Sequence, residues 1–173
     1  VEEEEAMKYK VIRKQENSKL CIVCGFKNVL GLKSAFYELE NETIVAVFTP
    51  KEVHQSYPGR LHGGIASAIL DETIGRAILM RDKNAWGVTV ELHLKYHKPI
   101  SLNEELRVVG RITSERKRIF EGTGEILLPN GEVAVSAYGK YFKMPIDQIA
   151  GSEMDELDWQ VVDSENVPEE IEL

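Results

Sequence analysis

Hydrophobic residues recur along the chain with two different periods, and the change of period separates strands from one helix. Between residues 32 and 48, apolar and polar residues alternate around a Glu-Asn-Glu turn, which predicts a β-hairpin. A polar loop with Pro58 and Gly59 follows. From Ile65 onward, apolar residues return at three- and four-residue spacing, which predicts a long helix that ends near Arg81.

After the helix, the period returns to two over residues 86–100, 105–118 and 119–144. The last of these segments contains a Pro-Asn-Gly turn at 129–131, so it predicts two strands. The order is therefore two strands, one helix and four strands, and the connections are too short for crossover helices. A lone helix that is apolar on most of its circumference must be widely covered. We therefore predict an α+β fold in which an antiparallel sheet wraps around one long central helix.

The composition is that of one soluble domain. The chain has 173 residues, of which 43% are hydrophobic and 29% charged. We divide it into an N-terminal lead-in, residues 1–20, that is partly disordered, a domain at residues 21–145, and an acidic tail at residues 146–173. No apolar stretch approaches the roughly 20 residues that span a bilayer, and the acidic start is unlike a signal peptide. We expect a cytoplasmic protein that makes no contact with a membrane.

Charge is unevenly distributed along the chain, whose net charge is −8. Residues 2–5 are glutamates and ten acidic residues follow Lys143, which leaves 15 acidic and 21 basic residues between them. A basic body suits an anionic small molecule, such as a phosphorylated cofactor. Ordinary solvated faces explain the charge equally well. Because no nucleic-acid-binding motif accompanies the charge, we expect no nucleic-acid partner.

Cys21 and Cys24 are the only cysteines and form a single Cys-x-x-Cys pair. A disulfide-rich scaffold needs more cysteines, and a closed zinc site needs four ligands. We therefore interpret the pair as a turn with small buried thiols, and we expect no metal site.

The start of the predicted helix is unusual for a core helix. His62, Gly63 and Gly64 open it, and Asp71 and Glu72 lie in its otherwise apolar middle. Glycines lack a β-carbon, so a ligand can approach the backbone N–H groups of the first turn, where the helix dipole favours negative charge. A carboxylate in a buried helix must face something other than the core. One alternative is a tight Gly-Gly turn with Asp71 in a surface salt bridge.

Three segments, residues 59–72, 88–99 and 131–139, resemble the hotdog-fold acyl-CoA thioesterases. The branch to which they are most similar is the PaaI-like and 4-hydroxybenzoyl-CoA thioesterase group, and residues 21–32 resemble a lead-in found in some members. The resemblance covers roughly residues 21–143. Its most specific part is His-Gly-Gly with a carboxylate nine positions after the histidine.

The resemblance implies that the protein hydrolyses an acyl-CoA to a free acid and CoA. Asp71 would act as general base or nucleophile, the Gly63 N–H would bind the carbonyl oxygen, His62 would position the substrate, and Thr89 would orient water. Family members form homodimers or dimers of dimers with sites between subunits, which places Thr89 on the neighbour of the subunit that supplies Asp71. The reaction needs no metal or cofactor, since CoA is part of the substrate.

The resemblance also implies a substrate-binding surface. Many members carry Asn or Gln six residues before the histidine, where this chain has Ser56 beside Gln55. The CoA-contacting stretches map onto residues 95–100 and 114–119, with a basic turn near the phosphates; a plain basic hairpin turn explains those residues equally well. The substrate-binding candidates are Gln55, Ser56, Gly64, Glu72, Lys95, Tyr96, Lys98, Arg116, Lys117 and Arg118.

Two other functions stay open at this point. Hotdog-fold dehydratases also pair a histidine with a helix carboxylate, and residues 54–59, His-Gln-Ser-Tyr-Pro-Gly, loosely resemble their His-Phe-Pro-Gly loop. The nine-residue spacing after His62 favours hydrolysis over that alternative. The fold would also suit a non-catalytic protein that binds acyl-CoA or a fatty acid.

Overall fold

One eight-stranded antiparallel sheet organises the computed structural model, which describes residues 6–150 and 158–173. The α-helices are α1 Gly63–Arg76 and α2 Ile146–Ala150. The strands are β1 Lys8–Lys14, β2 Asn17–Ser18, β3 Ala35–Leu39, β4 Ile44–Phe48, β5 Trp86–Tyr96, β6 Leu106–Glu115, β7 Ile119–Leu127, β8 Val133–Met144, β9 Trp159–Gln160 and β10 Glu170–Glu172.

The strands of the main sheet lie in the order β10-β1-β3-β4-β6-β7-β8-β5, and β2 pairs with β9 separately. Helix α1 packs against the sheet from β4 to β5 and buries Ile69, Leu70 and Ile74 completely. It continues as a 3-10 turn, Ala77–Met80, so the predicted helix end near Arg81 is confirmed. The predicted antiparallel sheet with one long helix packed against it is also confirmed.

Two glycines in β7 set how closely α1 approaches the sheet. A β-carbon on Gly122 would lie 2.7 Å from a methyl group of Ile74, and one on Gly124 would lie 2.9 Å from the same side chain. Both distances are shorter than real carbon contacts, so a larger residue would displace the helix. The glycines therefore fix the position of α1, and with it the position of the carboxylates on that helix.

The structure differs from the sequence prediction at both ends of the chain. The lead-in and the acidic tail each contribute one strand to the main sheet, where β1 pairs with both β3 and β10, and their second strands, β2 and β9, pair with each other. Ile171 of β10 is buried in a second apolar cluster with Tyr37, Val45 and Val109, on the face of the sheet away from α1. Apolar burial holds the tail against the sheet despite its charge. The prediction that the lead-in, residues 1–20, is partly disordered cannot be compared at residues 1–5, which lie outside the described residues.

Strand β5 forms one end of the sheet and, among the described residues, pairs only with β8, through ten of its eleven residues. Its other side therefore presents unpaired backbone groups in the single chain, and Val90 and Tyr96 are more than half exposed. Long exposed edges of this kind are normally covered by another strand. None of the helices in the described part of the chain is long and apolar enough to cross a membrane.

Candidate active site

Asp71 lies in the middle of α1 and accepts hydrogen bonds from two hydroxyl groups. Thr89 of β5 lies 2.9 and 3.1 Å from its two carboxylate oxygens, and Tyr141 of β8 donates at 3.1 Å. The Tyr141 ring is buried and stacks on Phe120 with centroids 5.0 Å apart. Two strands therefore hold the carboxylate in one orientation.

Burial is the main influence on the charge of Asp71 and raises the pKa of its carboxyl above the usual value. The hydrogen bonds from Thr89 and Tyr141 act in the opposite direction, and the neighbouring Glu72 adds a smaller upward effect. Burial also raises the pKa of Tyr141, as does the adjacent carboxylate, so this phenol stays protonated as a donor. A carboxylate with a raised pKa is a stronger base than a solvated one.

The N-terminus of α1 is organised by His62, which caps it. Its Nδ1 accepts a hydrogen bond from the Gly64 N–H at 2.8 Å, so the ring supports the first turn. The Tyr96 hydroxyl donates to the Gly63 carbonyl at 2.9 Å and lies 2.8 Å from the Ser67 hydroxyl. Within the described residues, the Gly63 N–H has no acceptor. It is the donor that an incoming anion or carbonyl oxygen could use.

Asp71 and Gly63 do not form one site within a single chain. Eight residues of α-helix separate them, which is about 12 Å at 1.5 Å per residue. The expectation that Thr89 comes from the neighbouring subunit is wrong for this structure, because Thr89 and Asp71 of the same chain are in contact. Within one chain, Asp71 therefore has Thr89 beside it but lies away from the N-terminus of α1.

Glu72 faces away from Asp71, as its place about 100° further round the helix requires. One carboxylate oxygen accepts from Arg76 at 2.9 Å and the other accepts from the Cys21 thiol at 3.1 Å. The structure therefore does not support the predicted role of Glu72 in substrate binding.

The loop before α1 holds Gln55 and Ser56, both of which are exposed. The Gln55 side chain accepts from the Gly59 N–H, and Ser56 donates its N–H to the Arg60 carbonyl. His54 is buried, and both its ring nitrogens are engaged, with the Lys51 N–H and the Leu30 carbonyl. A histidine fixed in this way has no nitrogen left for the proton transfer that a dehydratase needs.

The predicted basic turn joins β6 to β7. Arg116 and Lys117 line an open cleft of about 540 Å³, whereas Arg118 is exposed outside it. Within the cleft, Glu115 pairs with Arg81 and Lys143 at 2.9 and 2.8 Å, which leaves the turn cations available. Elsewhere, Lys95 is exposed and Lys98 pairs with Glu132.

Tyr141 is the site residue that sequence reasoning missed. It lies in a strand with regular alternation, where an aromatic residue is ordinarily part of the core. Its hydrogen bond to Asp71 follows from strand register. In the sheet, Tyr141 lies between Thr89 of β5 and Phe120 of β7. A tyrosine directly opposite Thr89 in the sheet is the signal that could have identified this second donor to Asp71.

Comparison with known proteins adds an independent finding. Residues 58–135 match the family model described as the thioesterase superfamily. Acyl-coenzyme A thioesterase 13 of mouse (Mus musculus) is 27% identical over 97 residues, which make up 56% of this chain and 69% of that protein.

Solved structures show the same fold. The crystal structure of a thioesterase superfamily protein has a TM-score of 0.65 and 30% identity over 70% of this chain, and the match spans 59% of that protein's chain. A hypothetical thioesterase from Streptococcus pneumoniae, crystallised with coenzyme A, has a TM-score of 0.55 at 19% identity, over 60% of this chain and 82% of that one. At that identity the likeness shows the fold alone. The family match includes Gly63, Asp71 and Thr89 and ends before Tyr141.

Proposed function

We propose that this chain, whose residues 58–135 match the thioesterase superfamily model, is an acyl-CoA thioesterase that releases a free acid and CoA. The observation that carries the proposal is the orientation of Asp71 by Thr89 and Tyr141. Asp71 acts on the thioester carbonyl carbon, either by activating a water molecule or by direct attack. The hydroxyls of Thr89 and Tyr141 keep one carboxylate oxygen aimed at the substrate.

The carbonyl oxygen becomes negatively charged as the attack proceeds and needs a hydrogen-bond donor. The Gly63 N–H at the start of α1 is suited to this, because it is unpaired and the helix dipole adds positive potential. The CoA thiolate is a good leaving group and needs little assistance. These parts suffice for hydrolysis without a metal or a further cofactor.

We propose that the complete site forms between two copies of the chain. Along β5, Thr89 lies beside Asp71 and Tyr96 lies beside Gly63. If two β5 edges pair antiparallel about a two-fold axis near Leu92 and His93, position 96 of one strand lies opposite position 89 of the other. The Gly63 N–H of the partner subunit then approaches Asp71, and the exposed edge is covered.

The CoA part of the substrate carries phosphates, and the cleft beside Arg116 and Lys117 is where we propose they bind. The similarity to mouse acyl-coenzyme A thioesterase 13 supports a CoA thioester as the substrate class. The fixed His54 disfavours the dehydratase alternative. Release of free CoA, detected by a thiol reagent, separates hydrolysis from binding without turnover.

The test uses Gly63→Pro, which removes one N–H. Proline is favoured at the first helical position, and His62 already has the extended backbone that precedes proline. We expect kcat to fall about 10²- to 10³-fold, the usual effect of one lost oxyanion donor. The matched control is Gly63→Ala, which keeps the N–H and places its β-carbon 3.4 Å from the Tyr96 ring, an ordinary contact.

Mixing two inactive variants then tests where the site lies. Asp71→Asn lowers kcat about 10²-fold or more by itself. Randomly mixed with Gly63→Pro chains, it should recover about one quarter of wild-type activity, because each heterodimer contains one intact site. Asp71→Asn mixed with Thr89→Ala should show no more activity than the two variants measured separately, since both residues lie in one chain. Recovery in the second mixture only, or full activity of Gly63→Pro, would contradict the proposed site.

A further inference from the structure

Cys21 and Cys24 are the only cysteines of the chain, and both are free. They are three residues apart in a turn closed by a 2.8 Å hydrogen bond from the Gly25 N–H to the Cys21 carbonyl. A β-carbon on Gly25 would lie 2.3 Å from that carbonyl oxygen, so the turn requires glycine. The Cys21 and Cys24 sulfurs lie within 4.8 Å of each other, so the turn places the two thiols side by side.

The two sulfurs are surrounded by hydrogen-bond donors. Arg76 donates to the Cys24 sulfur at 3.2 Å and the Ser18 N–H donates at 3.3 Å. The Val23 N–H donates to the Cys21 sulfur at 3.3 Å. The Cys21 thiol itself donates to the Glu72 carboxylate at 3.1 Å. Both sulfurs therefore lie in a polar, hydrogen-bonded setting, and the thiolate is the reactive form of cysteine.

The cysteines differ in access and in acidity. Cys24 is fully buried, whereas Cys21 is partly exposed. A hydrogen bond from the Cys24 thiol lowers the pKa of Cys21, and the pKa of Cys24 is raised as the donor in that pair and by burial. Cys21 therefore has the properties of an attacking thiol, and Cys24 those of a resolving thiol.

We propose that Cys21 and Cys24 form a dithiol site that reacts with low-molecular-weight disulfides and closes to an intramolecular disulfide. The Cys21 thiolate attacks one sulfur of the small disulfide and releases the other half as a thiolate. The Cys24 thiol then gives its proton to the released thiolate, and its sulfur attacks Cys21 in the mixed disulfide, which releases the second half as a thiolate that takes up the proton first lost from Cys21. One dithiol is oxidised and one disulfide is reduced to two thiols, so electrons and protons balance.

A metal ion is the competing occupant, because Glu72 brings a carboxylate within 4.8 Å of both sulfurs. The Arg76 guanidinium already neutralises Glu72 at 2.9 Å and contacts Cys24. It is itself held by the Gln15 side chain and the Glu16 carbonyl, so it cannot easily move away from an incoming cation. Three ligands beside a fixed cation are a poor zinc site, and redox chemistry is favoured.

The experiment treats the reduced full-length chain with oxidised glutathione and measures intact mass. We expect the wild type to lose two hydrogen atoms and to keep no glutathione. Cys24→Ser should retain one glutathione, because the resolving thiol is gone, while Cys21→Ser should react at least tenfold more slowly. Glu72→Gln should react severalfold faster than wild type, since the Glu72 charge disfavours a thiolate at Cys21.

Three results would overturn the proposal. These are a wild type that stops at the mixed disulfide, no reaction at Cys21, and equal reactivity of the two single serine variants. A parallel arm adds zinc to the reduced chain and measures bound metal by native mass spectrometry. Stoichiometric zinc that protects both thiols would assign the cluster to metal binding instead. All of these readouts are independent of thioester hydrolysis, so they stand or fall separately from the proposed enzyme activity.

Discussion

Replacing Tyr141 with Phe removes one hydroxyl and leaves the rest of the site in place. The ring of Phe keeps the stacking on Phe120, and Thr89 keeps its bonds to both carboxylate oxygens of Asp71. The change therefore removes one stabilising hydrogen bond from the ionised carboxylate. Since that bond opposes the effect of burial, the pKa of Asp71 rises further above its usual value in the variant.

The size of the effect follows from the strength of a hydrogen bond to a charged group, about 1.5–3 kcal/mol. Asp71 is only partly buried, so the lower end applies, and about 1.4 kcal/mol corresponds to a factor of about ten. In the proposed mechanism Asp71 acts as a base or nucleophile, so its carboxyl must be ionised. We therefore expect kcat/KM to fall about tenfold on the acid side of the pH profile and to approach the wild-type value at higher pH.

The assay measures kcat/KM for one acyl-CoA against pH, with a thiol reagent that reports free CoA. Thr89→Val should move the acid limb in the same direction, and Thr89→Ser, which keeps the hydroxyl, should leave it in place. An acid limb that does not move in Tyr141→Phe would refute the role of this hydroxyl. If kcat/KM falls by the same factor at every pH, Tyr141 affects the reaction by a route other than the ionisation of Asp71.

Three further outcomes follow from the structure. Alanine at Arg116, Lys117 and Arg118 together should raise KM severalfold, more at low salt, with kcat nearly unchanged, because exposed cations contribute about 1 kcal/mol or less each; an unchanged KM would place the phosphates elsewhere. Ile171→Ala should lower the free energy of unfolding by about 2 kcal/mol in urea titrations, since Ile171 is buried, while exposed Ile149→Ala should have little effect. Burial raises the pKa of Asp71 in the folded state, so its contribution to stability is lost as pH rises; Asp71→Asn should therefore unfold at a higher temperature than wild type near neutral pH, and this gain should shrink in acid.

Much of the fold was predictable because burial leaves a periodic pattern. The helix at 63–76 and the strands on both sides of it appear in the sequence as changes of period. The ends were not predictable in this way. Strand β10 is three residues long and two of these are glutamates, so the burial of Ile171 depends on pairing with Tyr9, 162 residues earlier in the chain.

The site was partly predictable for a similar reason. Asp71 is conspicuous because a carboxylate interrupts an apolar helix. The partners of Asp71 depend on strand register and twist, and sequence spacing does not give these. Register is what brings Thr89 and Tyr141 of one chain to the same carboxylate. The contact between Glu72 and the cysteine turn could not be predicted for the same reason, because Cys21 lies 51 positions before Glu72 in the sequence.

The pairing of β1 with β10 brings the two ends of the described chain into register. The Met7 N–H bonds to the Leu173 carbonyl at 3.0 Å, and the Leu173 N–H bonds to the Met7 carbonyl at 2.9 Å. Residues 7 and 173 are thus neighbours on two adjacent antiparallel strands, so a short linker could join them into a ring. A tight hairpin linker from residue 173 to residue 7 would complete that ring without disturbing a strand, and new ends could open at the exposed turn near Asn130. Such a circular permutant should fold to the same sheet, and a fully cyclised chain should resist heat better because its unfolded state has less conformational freedom to gain.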